Sequence, residues 1–151
     1  MEMQPDVWES NSVKKLNLEG IMYTKIDHMV IVVHDIKEAA KDYERYLGIA
    51  PDEPIAEEDG QGYLKASFSI GETRVVLAQP ITDKYQAGAA MKRTLERTGE
   101  GLHNLSFAVD SVDKEIERIK NQGDVPIPSA HSHSFFFHPK KMHGVLVQIM
   151  E

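Results

Sequence analysis

Two periodicities alternate along the chain, and their changeovers mark its elements. Residues Ile26–Val33 (IDHMVIVV) are rich in β-branched side chains and predict a strand. Ile26, His28, Val30 and Val32 fall on one face, and Asp27, Met29, Ile31 and Val33 on the other. Both faces are largely apolar, so both should be covered. The period then lengthens: Ile36, Ala39, Ala40, Tyr43 and Leu47 follow helical spacing behind Asp35, an N-cap candidate with Glu38 three residues on. Gly48 is placed to end that helix, and Pro51 and Pro54 exclude its continuation. Tyr63–Ile70 and Arg74–Gln79 predict two further strands, joined at Gly71-Glu72 by a tight hairpin turn and ended by Pro80. A middle helix is predicted over Ala87–Arg97, with Ala87, Ala90, Met91, Thr94 and Leu95 as its stripe and Gly99 and Gly101 beyond its end.

The opening pattern then recurs. Leu102–Val109 reads as a strand, Ser111 as an N-cap, Val112, Ile116 and Ile119 as a helical stripe, and Gly123 as its stop. Two more strands are expected near Ser134–Phe137 and Gly144–Met150. Laying IDHMVIVVHDIKEAAKDYERYLG over LHNLSFAVDSVDKEIERIKNQG matches strand, cap, helix and glycine at an offset of 76 residues, slipping by one at the glycine. The chain is therefore an internal repeat of β-α-β-β-β type. Residues 1–24 lack any clean period; they read as a frayed extension or as an arm that packs on a partner subunit.

Composition narrows the chemistry. The 151 residues carry a net charge of −7 and no cysteine, which excludes disulfides, thiolate catalysis and Cys-ligated metals. No apolar run approaches the ~20 residues that span a bilayer, so no membrane partner is expected. The first residues lack a charged-then-apolar signal pattern, and a cytoplasmic enzyme or small-molecule binder is the expectation. The acidic balance argues against nucleic acid. There is no Gly-rich phosphate loop and no Ser-His-Asp order.

Four segments carry a likeness: IDHMVIVVHDIKEAAKDYERYLG, RVVLAQP, RTGEGLHNLSFAVDS and FFFHPKKMHGVLVQIME. The most specific parts are Gly99-Glu100-Gly101-Leu102-His103, His138-Pro139-Lys140 and Gly144-Val145-Leu146-Val147. Residues 25–151 resemble the vicinal oxygen chelate superfamily of glyoxalase I, bleomycin-resistance proteins and extradiol dioxygenases, nearest its methylmalonyl-CoA epimerase-like branch. The resemblance implies an α+β fold in which two βαβββ modules form a curved mixed sheet around a pocket, helices outside. It divides the chain into an extension (1–24) and a single glyoxalase-like domain (25–151). Within that domain it places module one at about 25–80, a linker helix at about 85–98 and module two at about 101–151.

The resemblance also implies where a site would stand. The family's four metal-ligand positions fall on His28, Val76, Asn104 and Gln148. Only His28 is a strong ligand; Val76 offers no donor, and two neutral amides attract a hard cation poorly. No metal and no other cofactor is expected; a divalent metal stays open on a poor ligand set. The repeat sets His28 in correspondence with Asn104, and alternation puts His103 with Leu105, Phe107 and Val109 on the helix side. Gln148 cannot serve as a proton acceptor where the epimerase-like branch has a carboxylate, and Glu57-Glu58-Asp59 is the nearest substitute.

His28 is the catalytic candidate, and Val76, Asn104, Gln148 and His133 are the substrate-binding candidates. His131 and His133 read either as loop histidines in water or as an acid/base pair at the pocket mouth. His138 reads as a turn residue, His34 as exposed, and His143 as able to overhang the cavity. Lys84, Lys92, Arg93, Arg97, Lys140 and Lys141 read as solvated charges or as docking points for an anionic ligand. The expected function is a small-molecule pocket protein with a degenerate metal site, doing isomerase- or lyase-like proton transfer beside a carbonyl or thioester. Two alternatives stand: a metal-dependent methylmalonyl-CoA epimerase-like isomerase, and a metal-free ligand-binding or antibiotic-resistance-type protein. A homodimer is an option in this family.

Overall fold

A computed structural model describes residues 15–16 and 20–151. Among the described residues, nine strands and three helices follow one another. The strands are β1 (Lys15–Leu16), β2 (Met22–Val32), β3 (Ala56–Glu57), β4 (Tyr63–Ile70), β5 (Thr73–Pro80), β6 (Gly101–Val109), β7 (Ile127–Pro128), β8 (Ser134–Phe137) and β9 (Leu146–Met150). The helices are α1 (Ile36–Leu47), α2 (Gln86–Thr98) and α3 (Val112–Asn121). Eight strands form one mixed sheet in the order β3-β4-β5-β2-β6-β9-β8-β7, and β1 adds to the start of β2. β2 and β6 pair antiparallel at the centre. β5 lies parallel to β2, and β9 lies parallel to β6. Each half then runs outward through antiparallel pairs. The α+β repeat expected from the pattern is thus the architecture found.

The caps fall where the sequence places them. Asp35 Oδ1 accepts from the backbone N–H groups of Lys37 and Glu38 at 3.0 and 3.1 Å. Gly48 closes α1 with φ 71°, a left-handed conformation that costs a glycine nothing. Ser111 Oγ accepts from Lys114 N at 3.3 Å, and Gly123 follows α3 with φ 87°. The two-residue strands β1, β3 and β7 are too short to show alternation and were not anticipated. β2 starts four residues before its predicted start, through a polar stretch that backbone pairing with β6 holds in place. Met22 N donates to Asp110 Oδ1 (3.1 Å), and Asp110 N donates back to Met22 O (3.0 Å). Residues 1–14 and 17–19 of the expected extension lie outside the described residues.

α1 and α3 cover the outer face of the sheet. Ile36 and Ala40 pack with Val33, Ala66, Phe68 and Leu77. Val112 packs with Val109, Phe135, Val147 and Ile149. α2 departs from the expected outside position: its Met91 packs with Val30, Val32, Val76 and Ala78, the opposite set of alternating positions. α2 therefore lies over the inner face. It approaches the preceding loop closely at Gly88, whose N–H donates to Gln61 O at 2.9 Å. A Cβ there would stand 2.3 Å from Thr82 O and 2.7 Å from Gly62 O. At the first turn of α2, Gln86 reaches the second half: Nε2 donates to Pro128 O (3.1 Å) and Oε1 accepts from Ala130 N (3.0 Å).

Candidate functional site

The inner face, α2 and the 129–134 loop enclose an open cleft of about 1160 Å³. His28, Val76, Asn104, Gln148 and His133 all line it. Three of them meet. Antiparallel pairing sets His28 across from Ser106, two residues beyond its repeat counterpart Asn104. Parallel pairing sets Ser106 beside Gln148. The fully buried Ser106 Oγ accepts from Asn104 Nδ2 at 3.0 Å, donates to Gln148 Oε1 at 2.8 Å and lies 3.0 Å from His28 Nε2.

Ser106 carried no motif signal, but it shares the face of Asn104 by period two. Asp27 is the second residue missed. Alternation assigns it to the opposite face, yet a register shift between Ile26 and His28 lets it turn beside its neighbour. Its Oδ2 stands 2.7 Å from His28 Nδ1. The structure therefore contains a chain Asp27–His28–Ser106 that no sequence order announced. Ser106 is not an accessible nucleophile, because three polar partners surround its buried oxygen.

Electrostatics fit this arrangement. Burial pushes His28 below its usual pKa, against the hydrogen bond and charge of Asp27; Arg74 and His131 push it down further. Burial works to raise Asp27, but the His28 hydrogen bond and the charges of His28, Arg74 and Lys25 outweigh it and hold the carboxyl below its ordinary value. Neutral His28 with its proton on Nδ1, facing an ionised Asp27, is the consistent state near pH 7.

Val76 and His133 do not join the network. Val76 is buried among Val30, Val32, Ala78 and Met91. His133 lies on the loop with φ 55°, and its carbonyl accepts from Glu151 N at 3.2 Å. The helix-side placement of His103 needs correction. The register shift between Val30 and Ile31 frees it from alternation, and it lines the cleft with Nδ1 2.8 Å from Thr94 Oγ1 of α2. Burial, with Arg93 nearby, lowers its pKa to about 4. His143 is exposed and does not line the cleft, whereas His138 Nδ1 accepts from Lys140 N at 3.0 Å as a turn residue would. Of the acidic stretch, Glu58 lines the cleft and pairs with Lys65 Nζ at 2.5 Å. Arg74, Arg93, Arg97 and Lys140 also line it, so the cleft is more cationic than the chain around it.

The donors do not fit a divalent cation. Val76 is spent in apolar packing, Asn104 and Gln148 bring no charge, and Ser106 Oγ already bonds all three remaining groups. Among the described residues, no group of three or more His, Asp or Glu is placed to hold a metal ion. Asn104 Oδ1 is a buried acceptor without a protein partner.

The profile of the glyoxalase/bleomycin resistance protein/dioxygenase superfamily matches residues 27–137. The chain belongs to this superfamily. YqjC of Bacillus subtilis (strain 168) is 29% identical over 135 residues, covering 84% of this chain and 91% of YqjC. An ethylmalonyl-CoA/methylmalonyl-CoA epimerase of Cereibacter sphaeroides is 26% identical over 136 residues, covering 85% of this chain and 98% of the epimerase. Among solved structures, a single-substitution variant of Streptomyces coelicolor methylmalonyl-CoA epimerase in complex with 2-nitronate-propionyl-CoA superposes with a TM-score of 0.69 at 27% identity, covering 84% and 96% of the two chains. The glyoxalase-superfamily fold and its epimerase relatives are thus established. Among the described residues, no helix is long and apolar enough to cross a membrane.

Proposed function

We propose that this glyoxalase-superfamily chain is a metal-independent isomerase or lyase that moves a proton next to the carbonyl of a small acyl-thioester or related ligand. The observation that carries the reading is the Asp27–His28 pair, 2.7 Å apart, whose imidazole lines the cleft. Asp27 holds the imidazole in one tautomer, so Nε2 keeps its lone pair for a proton. Asn104 and Gln148 orient the ligand's oxygen, Val76 supplies an apolar wall, and His133 stands at the rim. The cationic lining suits the anionic carrier of an acyl-CoA, the ligand class named for the epimerase structures. The chain acts as one glyoxalase-like domain, with β1 and the start of β2 built into its sheet, and the protein works in the cytoplasm, with a homodimer as the assembly to test.

A binding protein without catalysis is the second reading. It is favoured by the engagement of both His28 nitrogens, Nδ1 by Asp27 and Nε2 by Ser106. The metal-dependent epimerase-like reading takes its epimerase part from the relatives' names and its metal part from the ligand positions that the resemblance implies. Deuterium exchange at the α-carbon of a 2-methyl acyl-CoA, followed in D₂O with chelator present, separates them. The expected result is chelator-resistant exchange that falls at least ~100-fold in His28→Ala. Tight ligand binding with no exchange supports the binder; loss on chelation and recovery with cobalt supports the metal enzyme.

A further inference from the structure

The cleft holds a second imidazole, and one of its nitrogens is uncovered. Thr94 Oγ1 lies 2.8 Å from His103 Nδ1 and 3.2 Å from Ala90 O. A hydroxyl has one hydrogen to give. Both bonds are made together only when that hydrogen goes to Ala90 O and Nδ1 donates its own hydrogen to Thr94 Oγ1. The other ring nitrogen, Nε2, then holds a lone pair. Nε2 has no hydrogen-bond partner among the described residues, and it is not sealed in either: the one buried side-chain nitrogen or oxygen left without a partner there is Asn104 Oδ1. Nε2 therefore opens on the cleft that His103 lines. His103 as a whole is only 8% exposed, so it is the inserted end of a ligand that reaches it.

We propose, on the acyl-thioester reading of the cleft, that His103 Nε2 accepts a hydrogen bond from a hydroxyl on the acyl group and so selects a hydroxyacyl thioester over a carboxyacyl one. A hydroxyl satisfies the lone pair and leaves the imidazole neutral. A methyl group in its place leaves a desolvated acceptor unpaired. A carboxylate has no hydrogen to give, and the wall there already carries two unpartnered acceptors, Nε2 and, one residue on, Asn104 Oδ1. His103 receives a carboxylate only by taking up a proton. Burial, with the Arg93 charge of α2 beside it, holds the imidazole at a pKa of about 4, so at pH 7 that uptake weakens binding on the order of a thousandfold.

The test uses the full chain and four CoA thioesters of propionic acid, substituted with methyl, hydroxyl or carboxylate on C2, or with hydroxyl on C3. Affinities are measured by calorimetry at pH 7. One of the two hydroxy thioesters should bind about tenfold tighter than the methyl one, the worth of one such bond, and the carboxylate should bind more weakly than the methyl. His103→Asn keeps an N–H for Thr94 and places no atom at Nε2; it should erase the hydroxyl preference. Spectra of the wild type with ¹⁵N-labelled histidine need no variant to fold. Nε2 should be unprotonated in the free chain, and its resonance should move toward the bonded position with the preferred hydroxy thioester and stay in place with the methyl one. Tightest binding of the carboxylate would show that Arg93 decides, and overturns the proposal. So do equal affinities for all four, a hydroxyl preference that persists in folded His103→Asn, and a protonated Nε2 in the free chain. A hydroxyl preference with no α-proton exchange in any thioester supports the proposal and overturns the isomerase reading; no binding by any thioester overturns both.

Discussion

The two halves of the sheet share an order of strands and helices but not a chemistry. In the first half, the part of the inner face under α2 is apolar: Val30, Val32, Val76 and Ala78 lie under Met91. In the second, the equivalent face presents Asn104, Ser106 and Gln148. The outer faces differ as well. α1 rests on aliphatic and aromatic contacts around Phe68, with Ile36 N donating to Gln79 Oε1 of β5 at 2.9 Å, whereas α3 buries a charged group, Glu115, whose Oε1 accepts from Tyr23 Oη at 2.9 Å and pairs with Arg118. A duplicated backbone thus supplies one half that is mostly scaffold and one half that is mostly hydrogen-bond donors and acceptors. His28 is the group that the first half lends to that hydrogen-bond network. The fold's symmetry leaves the chemistry free to become one-sided.

That contrast can be broken from either side. The largest effect is expected in the scaffold half: Phe68→Ala opens a cavity beneath α1 and should lower unfolding free energy by about 4 kcal/mol in urea titrations. Glu115→Ala tests the polar anchoring of the second half; stranding Tyr23 Oη and Arg118 should cost about 3 kcal/mol by the same measurement. His103 ties the second half to α2 through Thr94, and its imidazole is held neutral. Its folded pKa of about 4 lies below the ordinary 6.5. The unfolded chain therefore binds the extra proton first, and stability should fall as pH drops from about 6.5 to about 4, by on the order of 3 kcal/mol in full. His103→Leu should flatten that window while leaving Thr94 its bond to Ala90 O at 3.2 Å. The smallest effects compare the two caps. Asp35→Ala and Ser111→Ala should each cost about 1 kcal/mol. Asp35 should be the costlier of the two, because it accepts from two N–H groups and Ser111 from one.

The legible part of the fold was whatever depended on local rules. Asp35 with Gly48, and Ser111 with Gly123, announced two helices because caps act within a few residues. The same locality made the repeat visible, and with it the correspondence of His28 and Asn104. The bonding partner of His28 was not legible, because it depends on strand register. Antiparallel pairing of two equivalent strands offsets repeat-related positions, so Ser106, an ordinary residue between Leu105 and Phe107, became the cross-strand neighbour. Asp27 and His103 escaped for a related reason. Each adjoins a register shift, where strict alternation stops predicting which way a side chain turns. The shortest strands, β1, β3 and β7, carry no pattern of their own and exist because a longer neighbour offers them an edge.

Gly88 makes the width of the cleft a property of the backbone. With Thr82 O and Gly62 O where a side chain would begin, α2 and the loop before β4 must travel together as one wall. The opposite wall, the 129–134 loop, meets that first one through the two-pronged amide of Gln86. A methyl group at position 88 would act as a wedge, moving one wall of the cleft from a position that does not line it. The size of the cleft is thus set in part by residues that no survey of its lining would include.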